Sequence, residues 1–131
     1  MLNKIKDKNI KIALIGASNN SSKYGYKIYK NLISKGYSVV PINQKEVVID
    51  GIKTLPNVES MDTKPDIIDF VIPPKNALSE AIRLSEGGYD YFWFQPGSES
   101  EELESYLKST GSNTLLINVL WLKLNRHKNS V

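Results

Sequence analysis

The chain has 131 residues, 40% hydrophobic and 24% charged, with a net charge of +3, values that fit one globular domain and exclude a disordered, collagen-like or coiled-coil chain. It contains no Cys and a single His, His127, which excludes thiol chemistry, disulfides, iron–sulfur clusters and Cys-ligated zinc, and no metal site is expected. The 17 basic residues are 15 Lys and 2 Arg, Arg83 and Arg126, dispersed along the chain with 12 Asn, the pattern of a solvated surface rather than of a nucleic-acid reader.

Short β-branched or aromatic runs alternate with amphipathic stripes, and this alternation predicts an α/β fold with parallel strands buried on both faces. The first strand is predicted at residues 12–15. A helix over 24–35 follows, with Gly25, Ile28, Tyr29, Leu32 and Ile33 on its apolar stripe and Gly36 ending it. A second strand is predicted at 39–42. The less regular stretch 46–61 reads as a short extended piece around 51–55 and one helical turn before Pro65. A third strand at 67–72 leads through Pro73-Pro74 to a helix with Leu78, Ala81, Ile82 and Ser85 inward, stopped by Gly87-Gly88. A fourth strand occupies 91–94. Ser98 with Glu101 suggests a capping box for a third helix, with Leu103, Tyr106 and Leu107 inward and Gly111 at its end. A fifth strand is predicted at 114–117. The right-handed crossover rule folds this order into a three-layer α/β/α sandwich around a five-stranded parallel sheet.

One domain is expected over 1–131, with its core at about 10–117 and a Lys/Asn-rich tail at 125–131 that frays. The longest apolar window, 114–124, is too short to span a bilayer and includes Asn118 and Lys123. Residues 1–11 lack the apolar core of a secretory signal. A cytoplasmic location without membrane association is the expectation.

In an open sheet of this kind ligands bind beyond the carboxyl ends of the strands. The loop after the first strand, Gly16-Ala17-Ser18-Asn19-Asn20-Ser21-Ser22-Lys23-Tyr24-Gly25, runs small and hydroxyl residues into a helix N-terminus without Asp or Glu. That combination favours a bound phosphate, whereas Glu99, Glu101, Glu102 and Glu104 neutralise the third helix themselves. Serine capping of an ordinary loop is the competing explanation. The dinucleotide glycine fingerprint is absent, and the second strand ends in Asn43-Gln44-Lys45 without the carboxylate that binds an NAD ribose. Lys45 suits a phosphorylated ribose, as in CoA or NADP, although a solvated loop lysine reads the same way. Pro73 and Pro74 offer a rigid apolar wall, and Gln95-Pro96-Gly97 offers another with an amide able to hydrogen-bond.

Together, Gly16-Ala17-Ser18, Lys23-Tyr24-Gly25, Val40-Pro41-Ile42-Asn43, Val71-Ile72-Pro73-Pro74 and Trp93-Phe94-Gln95-Pro96-Gly97 resemble the small stand-alone CoA-binding proteins. Their Rossmann-like fold is related to the CoA-binding domain of the succinyl-CoA synthetase alpha subunit. The resemblance runs from about residue 10 to 117. It implies CoA or an acyl-CoA as ligand, with Gly16, Ala17, Ser18, Ser22, Lys23, Tyr24 and Gly25 around the diphosphate. Adenosine would lie between Asn43, Lys45, Pro73 and Pro74, and the pantetheine arm would run toward Gln95, Pro96 and Gly97. Many members carry a Cys-x-Met-x-Glu-like segment after the fifth strand, whereas this chain reads Asn118-Val119-Leu120-Trp121-Leu122-Lys123, so no thiol or carboxylate role transfers.

The expected function is binding of CoA or an acyl-CoA as a carrier, sensor or regulatory module, with no catalytic residue. Two alternatives stand beside it. One is an NADP-binding oxidoreductase or redox sensor that uses the same helix terminus and Lys45. The other is a protein-interaction module without a ligand, for which exposed apolar residues in 119–124 would speak. A homo-oligomer or protein partner fits any of the three.

Overall fold

The computed structural model describes residues 9–110 and 113–116. In chain order the elements are β1 (Lys11–Ile15), α1 (Tyr24–Ser34), β2 (Ser38–Ile42), β3 (Val48–Ile49), β4 (Ile52–Lys53) and a 3-10 turn (Val58–Ser60). They continue with β5 (Ile67–Phe70), α2 (Pro74–Glu86), β6 (Tyr91–Phe94), α3 (Glu101–Thr110) and β7 (Asn113–Leu116). The sheet order is β2-β1-β5-β6-β7, with every neighbouring pair parallel. Strand order therefore reverses between β1 and β5, which opens a crevice at their carboxyl ends.

Parallel strands covered on both faces need apolar side chains at successive positions. Ile12, Ala13, Leu14 and Ile15 are all buried, as are Ile67, Ile68, Asp69 and Phe70. Phe70 stacks on Phe94 at 4.6 Å between ring centroids and meets Phe92 edge-on at 5.7 Å. The right-handed crossover places α1 on one face and α2 with α3 on the other, where the latter two pack on one another. Gly25, Ile28, Tyr29 and Leu32 bury the inner face of α1.

Several expectations are corrected. Ile33 is 42% exposed rather than part of the α1 core stripe, because α1 ends one residue later. In α2 the fully buried positions are Ala77, Ala81 and Leu84, with Leu78, Ile82 and Ser85 only half-buried. Two alanines let the helix axis lie close to its neighbours, and the larger side chains flank the contact. The extended piece around 51–55 is half of a hairpin, β3–β4, whose turn residues Asp50 and Gly51 have φ of 49° and 85°. Asp-Gly is suited to the paired positive φ values of such a turn. The third strand stops at Phe70, since the Ile72 N–H turns to the Ser98 hydroxyl at 3.0 Å. That hydroxyl is therefore no helix cap: Ser100 Oγ accepts the Leu103 N–H at 3.1 Å instead.

Among the described residues no helix is long and apolar enough to cross a membrane, and no cluster of three His, Asp or Glu could hold a metal. Gly111, Ile117, the segment 118–124, His127 and the tail lie outside the described residues.

Candidate functional site

A groove of about 1050 Å³ opens beyond the carboxyl ends of β1, β2 and β5. Its floor and near wall come from Gly16, Asn43, Lys45, Ile72 and Pro73, and its far wall from the 3-10 turn and α2. Of the helices, α2 begins in its wall, and α1 begins after the loop that leaves β1 at Gly16. At the start of α1 the N-cap residue Lys23 makes no side-chain cap bond, and the first turn holds no acid. The same is true of α2, whose N-cap is Pro73. By contrast, α3 carries Glu101, Glu102 and Glu104 in its first turn. Two uncapped helix N-termini at one crevice favour an anion there.

The glycines place α1. Gly16 has φ of +102°, and a Cβ there would fall on the Val71 carbonyl oxygen and 2.7 Å from the Ile72 side chain. A Cβ at Gly25 would fall on the Gly16 carbonyl oxygen. Both residues are thus required by backbone-to-backbone contact between the first loop, α1 and β5, not by contact with open groove space. Asn43 staples the same region: its Nδ2 donates to the Ala17 carbonyl at 2.8 Å, and its Oδ1 accepts the Lys45 N–H at 2.9 Å. Ala17 is fully buried, whereas Lys45 is exposed.

The remaining residues expected at the site divide into two groups. Ser18, Ser22, Lys23, Tyr24 and Pro74 sit at the helix starts. Ser18 Oγ accepts the Asn20 N–H at 3.0 Å, and the Ser22 hydroxyl donates to Asn20 Oδ1 at 2.7 Å, so neither serine caps α1. Tyr24 is 39% exposed, and its hydroxyl pKa is raised chiefly by partial burial, to which an ionised Asp69 would add. Gln95, Pro96 and Gly97 form the second group, and no residue of either group lines the groove, whose wall takes only Gly16, Asn43, Lys45 and Pro73 from the expected residues. Gln95 is completely buried with its amide on Asp69, Pro96 is half-buried, and the Gly97 N–H donates to Glu99 Oε2 at 3.1 Å.

Sequence reasoning missed the far wall. Arg83 of α2 is gripped by Glu80, 2.8 Å away, and by Glu59 of the 3-10 turn, and these two carboxylates raise its pKa. Asn57 and Asn76 stand nearby in the same wall. The Glu80–Arg83 spacing was readable as a helical pair. The Glu59 contact had no local signal.

The fold and site define a class: a parallel α/β domain with an anion-attracting groove at the reversal of strand order. Residues 10–121 match the family described as CoA binding domain, and the chain belongs to that family. It is 36% identical over 78 residues to the alpha subunit of an ADP-forming acetate–CoA ligase II from Pyrococcus furiosus. That match spans 59% of this chain and 17% of the ligase subunit. Over 115 residues it is 23% identical to an uncharacterized protein of Bacillus subtilis, YneT, covering 88% of this chain and 85% of that one. A conserved hypothetical protein from Pyrococcus furiosus superposes with a TM-score of 0.74 at 44% identity, over 80% of this chain and 90% of the other.

Proposed function

We propose that this protein binds coenzyme A or an acyl-CoA as a carrier, sensor or regulatory module without chemistry of its own. The observation that carries the reading is a groove lined by the exposed Lys45 and the uncapped start of α2, with the uncapped start of α1 at the end of the loop that opens at Gly16 in the same groove, in a chain of the CoA-binding family. The donor set suits the ligand: backbone N–H groups for the diphosphate, a lysine ammonium for the 3′-phosphate, and apolar Ile72 and Pro73 beside the nucleoside. The side chains on hand bind and orient. CoA itself, when bound, supplies the thiol that carries an acyl group.

The relatives that act as acetate–CoA ligases are much longer than this chain, and their activity is not assigned to it. Thermal unfolding with CoA, dephospho-CoA, NAD and NADP tests the reading. CoA at 100 times its Kd should add about 2.7 kcal/mol of stability, and NAD should add nothing. Stabilisation by NADP with none by CoA would replace this reading with a nicotinamide-nucleotide one.

A further inference from the structure

Asp69 of β5 and Gln95 after β6 form a buried polar pair outside the groove. Both are fully shielded from solvent. Gln95 Nε2 lies 3.2 and 3.0 Å from the two carboxyl oxygens of Asp69, while Gln95 Oε1 is buried without a hydrogen-bond partner. An ionised Asp69 would leave a charge in the interior supported by few donors, beside an acceptor facing nothing, and both are costly. A single proton relieves both. Once either group rotates so that Gln95 Nε2 serves one carboxyl oxygen instead of both, the carboxyl O–H can donate to Gln95 Oε1, which makes a two-bond acid–amide pair.

The surroundings offer no counter-charge. The in-register neighbours, Leu14 of β1 and Trp93 of β6, are not ionisable. From α1 the group that senses Asp69 is Tyr24, which becomes negative if it ionises at all. Among the described residues no Lys or Arg acts on Asp69, and burial holds its carboxyl well above the usual range against the opposing Gln95 amide and Phe70 N–H.

We propose that Asp69 is a protonated carboxylic acid in the folded protein, and that its pair with Gln95 positions the loop after β6 against the groove wall. Gln95 opens that loop, with its N–H on the Phe70 carbonyl at 3.0 Å. Three residues on, Ser98 Oγ donates to the Ile72 carbonyl at 2.5 Å and accepts its N–H at 3.0 Å. Ile72 lines the groove. Proton loss from Asp69 opens the pair and sets a negative charge beside the first turn of α1. It therefore opposes anion binding there, and by linkage bound anion favours the proton. The second half of this coupling rests on CoA being the ligand; the proton on Asp69 does not.

A carboxyl whose pKa is raised on folding stabilises most below its unfolded value, and that contribution is lost as pH rises through the folded value. The test follows the Asp69 carboxyl carbon by ¹³C NMR in the wild-type protein across pH, without ligand. A protonated shift at neutral pH, titrating only above the ordinary carboxylate range, is expected; an ionised shift at neutral pH overturns the proposal. Asp69→Asn keeps an uncharged amide at the site. It should hold CoA affinity within about twofold and flatten the pH dependence of unfolding. Wild-type affinity should fall about tenfold more steeply toward alkaline pH than that of the variant. The ligand's own phosphate ionises alike in both measurements, so their difference isolates Asp69. A folded Asp69→Asn protein with the wild-type pH dependence overturns the proposal, and if this variant does not fold the wild-type carbon shift decides. Failure of CoA to bind at any pH, with a protonated Asp69, removes the CoA reading and leaves the acid–amide pair standing.

Discussion

At the scale of single residues, the first loop depends on two missing Cβ atoms, and the proposed 3′-phosphate contact on the exposed Lys45. A Cβ at Gly25 meets the Gly16 carbonyl oxygen, and neither partner can move without shifting α1 off the sheet. Gly25→Val should therefore destabilise the protein by about 3 kcal/mol or more, read by urea unfolding in the absence of ligand. A variant of wild-type stability that merely loses CoA would show that Gly25 serves the ligand alone. Lys45 makes the opposite kind of contribution. It is exposed, so Lys45→Glu should leave unfolding nearly unchanged while weakening CoA by about tenfold. Dephospho-CoA should weaken less, because it lacks the 3′-phosphate. Calorimetry showing equal losses for both ligands would remove Lys45 from that role.

At the scale of elements, Arg83 bridges α2 to the 3-10 turn across the far wall of the groove. The Arg83 and Glu59 side chains are roughly half exposed and Glu80 is 28% exposed, so the ion pairs contribute little to global stability, about 1 kcal/mol or less. Their effect should be local. Arg83→Met is expected to speed hydrogen exchange at Ser60 and Met61, whose N–H groups close the 3-10 turn, and to leave amides of β1 and β5 protected. Uniform acceleration across the sheet would count against a local clasp. This wall also marks where the sequence stops being legible. Strands such as 12–15 announce themselves through unbroken apolar runs, and α1 through its stripe and Gly36. The β3–β4 hairpin has strands of only two residues, too short for periodicity, although Asp50-Gly51 was a readable turn signal. Glu59–Arg83, Ser98–Ile72 and Asp69–Gln95 join residues at least 24 apart. Only the packing of separate elements brings those partners together, and no local pattern encodes it. Asp69 sat unmarked inside an apolar strand for the same reason.

At the scale of the whole molecule, the question is whether a bound thioester would meet reactive groups. Nucleophilic acyl transfer needs a nucleophile, a base within reach and a group that orients the base. The chain has no Cys, and its one His, His127, lies outside the described residues. Ser18, Ser22 and Ser98 hold loop atoms through their hydroxyls. The carboxylates of the groove, Glu59 and Glu80, are both held by Arg83, and the Glu59 pKa is lowered chiefly by that contact, which makes it a poorer base. Asp69 is sealed in the interior with Gln95. Incubation with several acyl-CoA esters, with and without nucleotide and magnesium, should therefore release no free thiol above the uncatalysed rate. Turnover that disappears on substituting a groove residue, with folding and CoA affinity retained, would overturn the binding-only reading. Glu59→Gln and Glu80→Gln are the first substitutions to make in that case, since each removes a groove carboxylate while preserving its size.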